Sequence, residues 1–168
     1  LIVIGALTSI SANTQNLEYG RVDKIDFTLV EEELIEKQEA IVILKKEYID
    51  FERSDEGELI QRRMVHERIK INSVAGLKYA TRKIPLYLED GKIGEEFKFL
   101  KAATYNLVDG RIKRTKIKSS AVFKEDISDQ YRLKSFTMPN VKIGSVIEYS
   151  YVIESSYAVI DNIILQYD

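Results

Sequence analysis

The residues that could do chemistry in this sequence are few. There is no cysteine and a single histidine, His66, which excludes thiol catalysis, disulfides, iron–sulfur clusters, thiolate zinc sites and multi-histidine metal sites within these 168 residues. His66 shares the polar face of a predicted strand with Met64 and Arg68, and this pattern favours an exposed structural histidine over a ligand. The sequence therefore predicts no catalytic, cofactor-binding or metal-binding residue.

A second candidate is a run of five cations within eight residues. Their offsets place them on both faces of a strand, so they form no single stripe, and lysines that protect a sheet edge are the usual explanation. An anionic ligand such as phosphate, a lipid headgroup or an acidic glycan is the alternative. The possible ligand contacts are Arg111, Lys113, Arg114, Lys116 and Lys118.

Glu148 and a set of tyrosines complete the candidates. Glu148 lies on the strand face opposite Tyr149 and Tyr151, where we expect a solvated carboxylate, because no second carboxylate or base is fixed near it by sequence. The tyrosines could stack against sugars, but alternating tyrosines in strands are typical of core and cross-strand packing. The set comprises Tyr105, Tyr131, Tyr149, Tyr151 and Tyr157.

Length, charge and composition bound the fold that must position these residues. A chain of 168 residues has the size of one domain, and its net charge of -2 argues against a nucleic-acid partner. The sequence has 22 Ile, 12 Val and 10 Tyr but only 8 Gly and 2 Pro. Such a composition favours β-strands.

The strand pattern is clearest in the first half of the chain. Residues 40–51 and 59–71 flank the turn residues 54–57 and predict a long hairpin. Its second arm alternates apolar and polar residues, with Glu67 as an exception on the apolar face. Pro85 places the next strand, residues 81–88, at a sheet edge.

Further strands follow at short intervals. Asp109 and Gly110 predict a tight hairpin turn, and a phase shift of the apolar positions near Lys101 predicts a bulge. Short helices are expected only at residues 31–38 and 76–80. The predicted fold is all-β, an antiparallel β-sandwich of long strands with one or two short helices. The remaining predicted strands are residues 97–107, 111–118, 131–138, 145–153 and 160–167.

Residues 1–12 carry no charge, are mostly apolar and end in small residues. These features are typical of the hydrophobic and cleavage regions of a secretory signal peptide, here without its basic start. The segment is too short to span a membrane, and a buried N-terminal strand is the alternative. We therefore expect a partial signal peptide, a linker at residues 13–18 and an exported protein of the periplasm or cell envelope.

Several blocks in fixed order resemble the signature of a known family. The longest block is Phe-Thr-Met-Pro-Asn-Val-Lys-Ile-Gly-Ser-Val-Ile-Glu-Tyr-Ser-Tyr at residues 136–151. This block resembles an exported bacterial domain of unknown function that precedes a transglutaminase-like domain. The other blocks are residues 67–71, 75–80, 101–106, 110–112 and 165–167.

The resemblance implies a β-sandwich over residues 19–168, truncated at its C-terminal end, in a longer exported protein. In that family the papain-like Cys, His and Asp lie downstream, so this chain would be a non-catalytic accessory or binding domain whose partner is the catalytic domain of the same chain. A stand-alone envelope module that binds peptide or glycan is the alternative. No cofactor is implied.

We predict that the exported protein loses the segment that ends near Ala12, because that segment is hydrophobic without the length to remain as an anchor. N-terminal sequencing of protein from the cell envelope should therefore find a start near Asn13. An intact cytoplasmic protein that retains residues 1–12 would contradict the prediction.

Overall fold

Two antiparallel β-sheets pack face to face in the computed structural model, which describes residues 18–28, 38–89 and 92–156. This architecture confirms the predicted all-β sandwich. The five-stranded sheet has the order β1-β2-β9-β5-β6 and the four-stranded sheet the order β4-β3-β8-β7. The strands are β1 Ala40–Arg53, β2 Leu59–Ile71, β3 Thr81–Glu89, β4 Lys92–Ile93, β5 Glu95–Val108, β6 Arg111–Lys116, β7 Val122–Asp126, β8 Tyr131–Thr137 and β9 Val146–Ser155.

The helical structure in the described residues consists of three short 3₁₀ segments, Lys24–Phe27, Ala75–Ala80 and Ser119–Ala121. The second segment confirms the helical turn predicted near Gly76. A side chain at Gly76 would place its Cβ 2.0 Å from the Glu39 carbonyl oxygen, so this close approach requires glycine. No helix in the described ranges is both long and apolar enough to cross a membrane.

The two predicted hairpins are confirmed. β1 and β2 pair along their whole length from Ala40 with Ile71 to Arg53 with Leu59. β5 and β6 are joined by Asp109 and Gly110, whose φ angles of 51° and 70° are the positive values that a type I′ turn needs. The predicted bulge is present in β5, where the register shifts between Lys98 and Lys101 and Phe99 has φ 56°.

The main core lies between the two sheets. Along β9, the alternating residues Ile147, Tyr149, Tyr151 and Ile153 are all buried in it, as their period of two predicts. Their neighbours from the same sheet and from the opposite sheet include Val65, Ile69, Ile71, Ile84, Leu86 and Phe136. Tyr105 is buried as well, whereas Tyr131 is exposed at the start of β8.

The polar exception on β2 is also buried. Glu67 accepts a hydrogen bond from the Tyr149 hydroxyl, and its carboxylate lies 3.7 Å from Arg82 and 4.0 Å from Lys45. Burial and the charge of Glu67 raise the pKa of the neighbouring Tyr151 to about 12. The Glu67 carboxylate is therefore held inside the core, matched by cations and a phenol.

The remaining sequence predictions concern strand β7, Pro85 and residues that the structure does not describe. Strand β7 was not predicted, because its Phe-Lys-Glu-Asp run is almost fully exposed and lacks an alternating apolar pattern. Pro85 pairs with Leu133 of β8, while β4 covers only the far end of β3, so Pro85 has a paired strand on one side only. The predictions for residues 1–17, 31–37 and 157–168 lie outside the described residues.

We predict that Ile147→Ala lowers the free energy of unfolding by about 2–5 kcal/mol, since it removes a fully buried side chain and leaves a cavity. Ile143→Ala is the matched control, because Ile143 is 53% exposed in the loop before β9 and its loss should stay within about 0.5 kcal/mol. Urea unfolding of both variants measures the difference, and equal midpoints would contradict the assigned face.

Candidate functional site

The outer face of the five-stranded sheet, turned away from the main core, is partly covered by residues 18–28, which we call the N-terminal strap. Val22 and Phe27 of the strap are buried in a second, smaller apolar cluster on this face. Their partners from the sheet are Ala103, Tyr105 and Val146. The sheet is therefore buried on both faces where the strap crosses it.

Arg68 of β2 lies under the strap with no exposed surface. Its guanidinium donates to Asp26 Oδ2 at 3.0 Å, to Glu148 Oε1 at 2.8 and 3.2 Å, and to the Glu18 carbonyl oxygen at 3.2 Å. A buried guanidinium is tolerated only when it is paired and fully hydrogen-bonded. Two of these acceptors belong to the strap, so Arg68 ties the strap to the sheet.

Glu148 of β9 is also fully buried. Together with Asp26, Arg68 and His66 it forms what we call the ionic cluster. Its Oε2 accepts from the Gly20 backbone N–H at 2.8 Å and from the Tyr105 hydroxyl at 3.1 Å, and its Oε1 lies 3.0 Å from His66 Nε2. Burial alone raises the pKa of a carboxyl, but the hydrogen bonds from His66, Arg68 and Gly20 outweigh it and hold the pKa of Glu148 below its usual value.

Two predictions are corrected here. Glu148 does lie opposite Tyr149 and Tyr151, but it is buried and paired rather than solvated. The side chain of His66 is only 13% exposed and is held by Glu148, so it is not the exposed histidine that the alternation favoured. The reason is common to both, since a period of two assigns a residue to a face and says nothing of what covers that face.

Tyr19 of the strap extends the cluster towards β6. Its ring lies 5.9 Å from the His66 ring on one side, and the guanidinium of Arg114 lies 5.6 Å from its centroid. The same guanidinium lies 5.6 Å from the Tyr105 ring. Burial and the charge of Glu148 raise the pKa of Tyr105, so its phenol stays protonated and donates.

The five cations predicted as possible ligand contacts do not converge. β6 is an edge strand of the five-stranded sheet. Arg114 pairs with Tyr105 and shares its face with Lys116, whereas Arg111 and Lys113 alternate onto the opposite face. Lys118 follows the end of β6, immediately before the 3₁₀ segment Ser119–Ala121. Only Arg114 and Lys116 therefore lie on the strap side.

Two cavities flank the strap on this face. The first, which we call the His66 groove, has about 370 Å³ and is lined by Lys46, Tyr48, Met64, Val65, His66 and Ser150. The second, the Arg114 groove, has about 330 Å³, and its polar lining consists of Tyr19, Lys101, Arg114 and Lys116. Sequence reasoning missed both grooves, because they combine residues from five strands and the strap.

The arrangement of these groups suits binding. Both oxygens of Glu148 are occupied and His66 is held at Nε2, while the grooves present ammonium, guanidinium, phenol and hydroxyl groups. Such groups bind anions and hydroxyl-rich molecules. Among the described residues no group of three or more His, Asp or Glu side chains could hold a metal ion.

Comparison with known families assigns this sandwich. Residues 61–167 match the profile of a domain of unknown function, DUF3857. The chain belongs to the DUF3857 family. The matched region includes Arg68 and Glu148 but not the strap.

A solved structure resembles this DUF3857 chain. It is that of a putative protease from Parabacteroides distasonis, with a TM-score of 0.51 and 16% sequence identity over 70% of this chain. The similar region makes up 23% of that protein, so this chain corresponds to about a quarter of its length. At this identity the likeness concerns the fold alone. No curated protein matches the sequence.

We predict that Glu148→Gln lowers the free energy of unfolding by about 3–5 kcal/mol, because the buried Arg68 then loses one of its two carboxylate partners and keeps only Asp26. Glu96→Gln is the matched control, since the Glu96 side chain is 53% exposed beside Lys98 and its ion pair contributes at most about 1 kcal/mol. Equal losses in the two variants, measured by urea unfolding at pH 7, would contradict a dependence on the cluster.

The lowered pKa of Glu148 also predicts a pH dependence. A carboxyl whose pKa is lower in the folded state adds stability above its unfolded pKa, about 4.3 for Glu, and this stability is lost as the pH falls through the folded value. Stability of the wild-type protein should therefore fall more steeply below about pH 4.3 than that of Glu148→Gln. Parallel curves from urea unfolding between pH 7 and pH 2 would show that Glu148 does not contribute.

Proposed function

We propose that this DUF3857 chain is a non-catalytic accessory and binding domain of a larger, exported protein that also carries a transglutaminase-like catalytic domain. The main observation behind the proposal is the similarity to the solved structure named above. A sandwich of this fold makes up 23% of the putative protease from Parabacteroides distasonis, which leaves most of that protein for other domains. The sequence blocks that resemble a domain preceding transglutaminase-like domains support the same organisation.

The chemistry of the site favours a structural role of its ionisable groups over catalysis. A covalent mechanism needs an activated nucleophile beside a free base. Here the one imidazole is bound to Glu148, and Glu148 is bound to Arg68, Tyr105 and the Gly20 N–H of the strap. These ionisable groups hold the strap on the sheet, while the two grooves remain available to a ligand.

Export is compatible with the contacts between the strap and the ionic cluster. Cleavage of a signal peptide near Ala12 would remove residues that precede the strap, which begins at Glu18. The contacts of Glu18, Gly20 and Asp26 with the ionic cluster would then stay intact in the mature protein. The lack of cysteine means that the fold needs no disulfide in an oxidising compartment.

A stand-alone envelope module that binds peptide or glycan is a second candidate. The observation that favours it is the pair of grooves beside the strap, with Tyr48 more than half exposed at the rim of the His66 groove. The two candidates differ in what the remainder of the gene encodes: a downstream Cys with His and Asp for the accessory domain, or a stop codon for the module.

We predict that the 168-residue chain alone turns over neither peptide, ester nor glutamine-amide substrates, whereas the complete gene product does so through a downstream cysteine. Substitution of that cysteine by alanine in the complete protein should abolish activity, and His66→Ala should leave the chemical step unchanged. Turnover by the 168-residue chain that is lost in His66→Ala would contradict the accessory role.

A further inference from the structure

We infer that the outer face of the five-stranded sheet binds an acidic glycan, a polysaccharide whose sugar rings carry carboxylates, along a row from Lys46 to Lys101. This inference rests on the proposed role as a binding domain and names the ligand class. The row lies beside the N-terminal strap and connects the His66 groove with the Arg114 groove.

The row follows from the strand register. Lys46 pairs with His66, His66 with Ser150, and Ser150 with Lys101, so four side chains from β1, β2, β9 and β5 stand side by side on one face. Neighbouring strands lie about 4.8 Å apart, which puts the two lysine Cα atoms roughly 14 Å apart. A ligand that meets both ammonium groups must therefore be extended.

The cations of the row are available to a ligand. In the described part of the chain, Lys46, Lys101 and Lys116 have no ion-pair partner. Two carboxylates of β9 on this face are already engaged, because Glu148 binds Arg68 and Glu154 lies 3.5 Å from Arg62 and 2.7 Å from Lys98. These lysines are free positive charges on this face, and they favour an anionic ligand.

Aromatic rings stand next to these charges. Tyr48 lies two residues after Lys46 on β1, on the same face, and is 52% exposed. Tyr19 of the strap contacts both His66 and Arg114 and lines the Arg114 groove. An exposed ring beside an ammonium and a hydroxyl provides stacking, charge and hydrogen bonding for a sugar acid.

The strand backbone beneath the row favours a glycan over a peptide as the ligand. β2 and β9 are interior strands, and at His66 and Ser150 their backbones pair with neighbouring strands on both sides. An extended peptide gains much of its affinity by adding main-chain hydrogen bonds to an open strand edge. Recognition along this row depends on side chains, and rings with carboxylates and hydroxyls suit that surface.

The test uses trigalacturonate as the acidic glycan and isothermal titration calorimetry with the 168-residue chain. We expect binding that weakens with added salt. The double variant Lys46→Ala/Lys101→Ala should lower the affinity about tenfold or more, because two charge-assisted contacts are lost. Tyr48→Ala should lower it as well. The matched control is Lys83→Ala/Lys113→Ala, which removes two exposed strand lysines away from the row and should leave affinity within about twofold.

Three results would overturn the inference. These are no binding of trigalacturonate, an equal loss of affinity in the control variant, or equally tight binding of maltotriose, triglutamate or phosphatidylglycerol vesicles. The last result would show that the surface does not select sugar carboxylates, and would point to a neutral sugar, an acidic peptide or a membrane instead. The accessory role is tested separately by turnover of the complete gene product, so it can stand when this inference fails.

Discussion

The buried ion pair between Arg68 and Glu148 is the interaction on which the outer face of this sandwich depends. Removing two charges from water costs several kcal/mol for each ion unless every remaining donor and acceptor finds a partner. The sheet alone supplies only His66 and Tyr105. The strap completes the set with the Asp26 carboxylate and the Gly20 N–H. The strap is thus required by the chemistry of the pair as well as by apolar packing.

This requirement joins distant parts of the chain. The hydrogen bond from Gly20 to Glu148 spans 128 positions, so the docked strap depends on β9 lying in the sheet between β2 and β5. Docking then places Tyr19 between His66 and Arg114 and leaves a groove on either side. In the proposed function, the ionic cluster is therefore the support of the binding surface and not a reacting group.

The predictable part of the fold is the part governed by local chemistry. Alternation identified β2 and the inward face of β9, and Asp109 with Gly110 identified the β5–β6 turn. Strand β7 could not be predicted, because its few residues are almost all exposed and show no apolar alternation. The ionic cluster could not be predicted either, because the residues that cover Glu148 come from the other end of the sequence. No periodicity within β9 can reveal them. An acidic residue in a strand of otherwise apolar and aromatic neighbours was the available signal.

Amide hydrogen exchange at Gly20 tests whether the ion pair holds the strap on the sheet. The comparison is between the wild-type protein and Asp26→Asn/Arg68→Met/Glu148→Leu, which removes all three buried charges of Asp26, Arg68 and Glu148 together, so that none of them is left unpaired. We expect the Gly20 amide to be protected in the wild type and to exchange about tenfold faster or more in the variant, while β9 amides stay protected. A Gly20 amide that is unprotected in the wild type, or equally protected in the variant, would contradict this expectation.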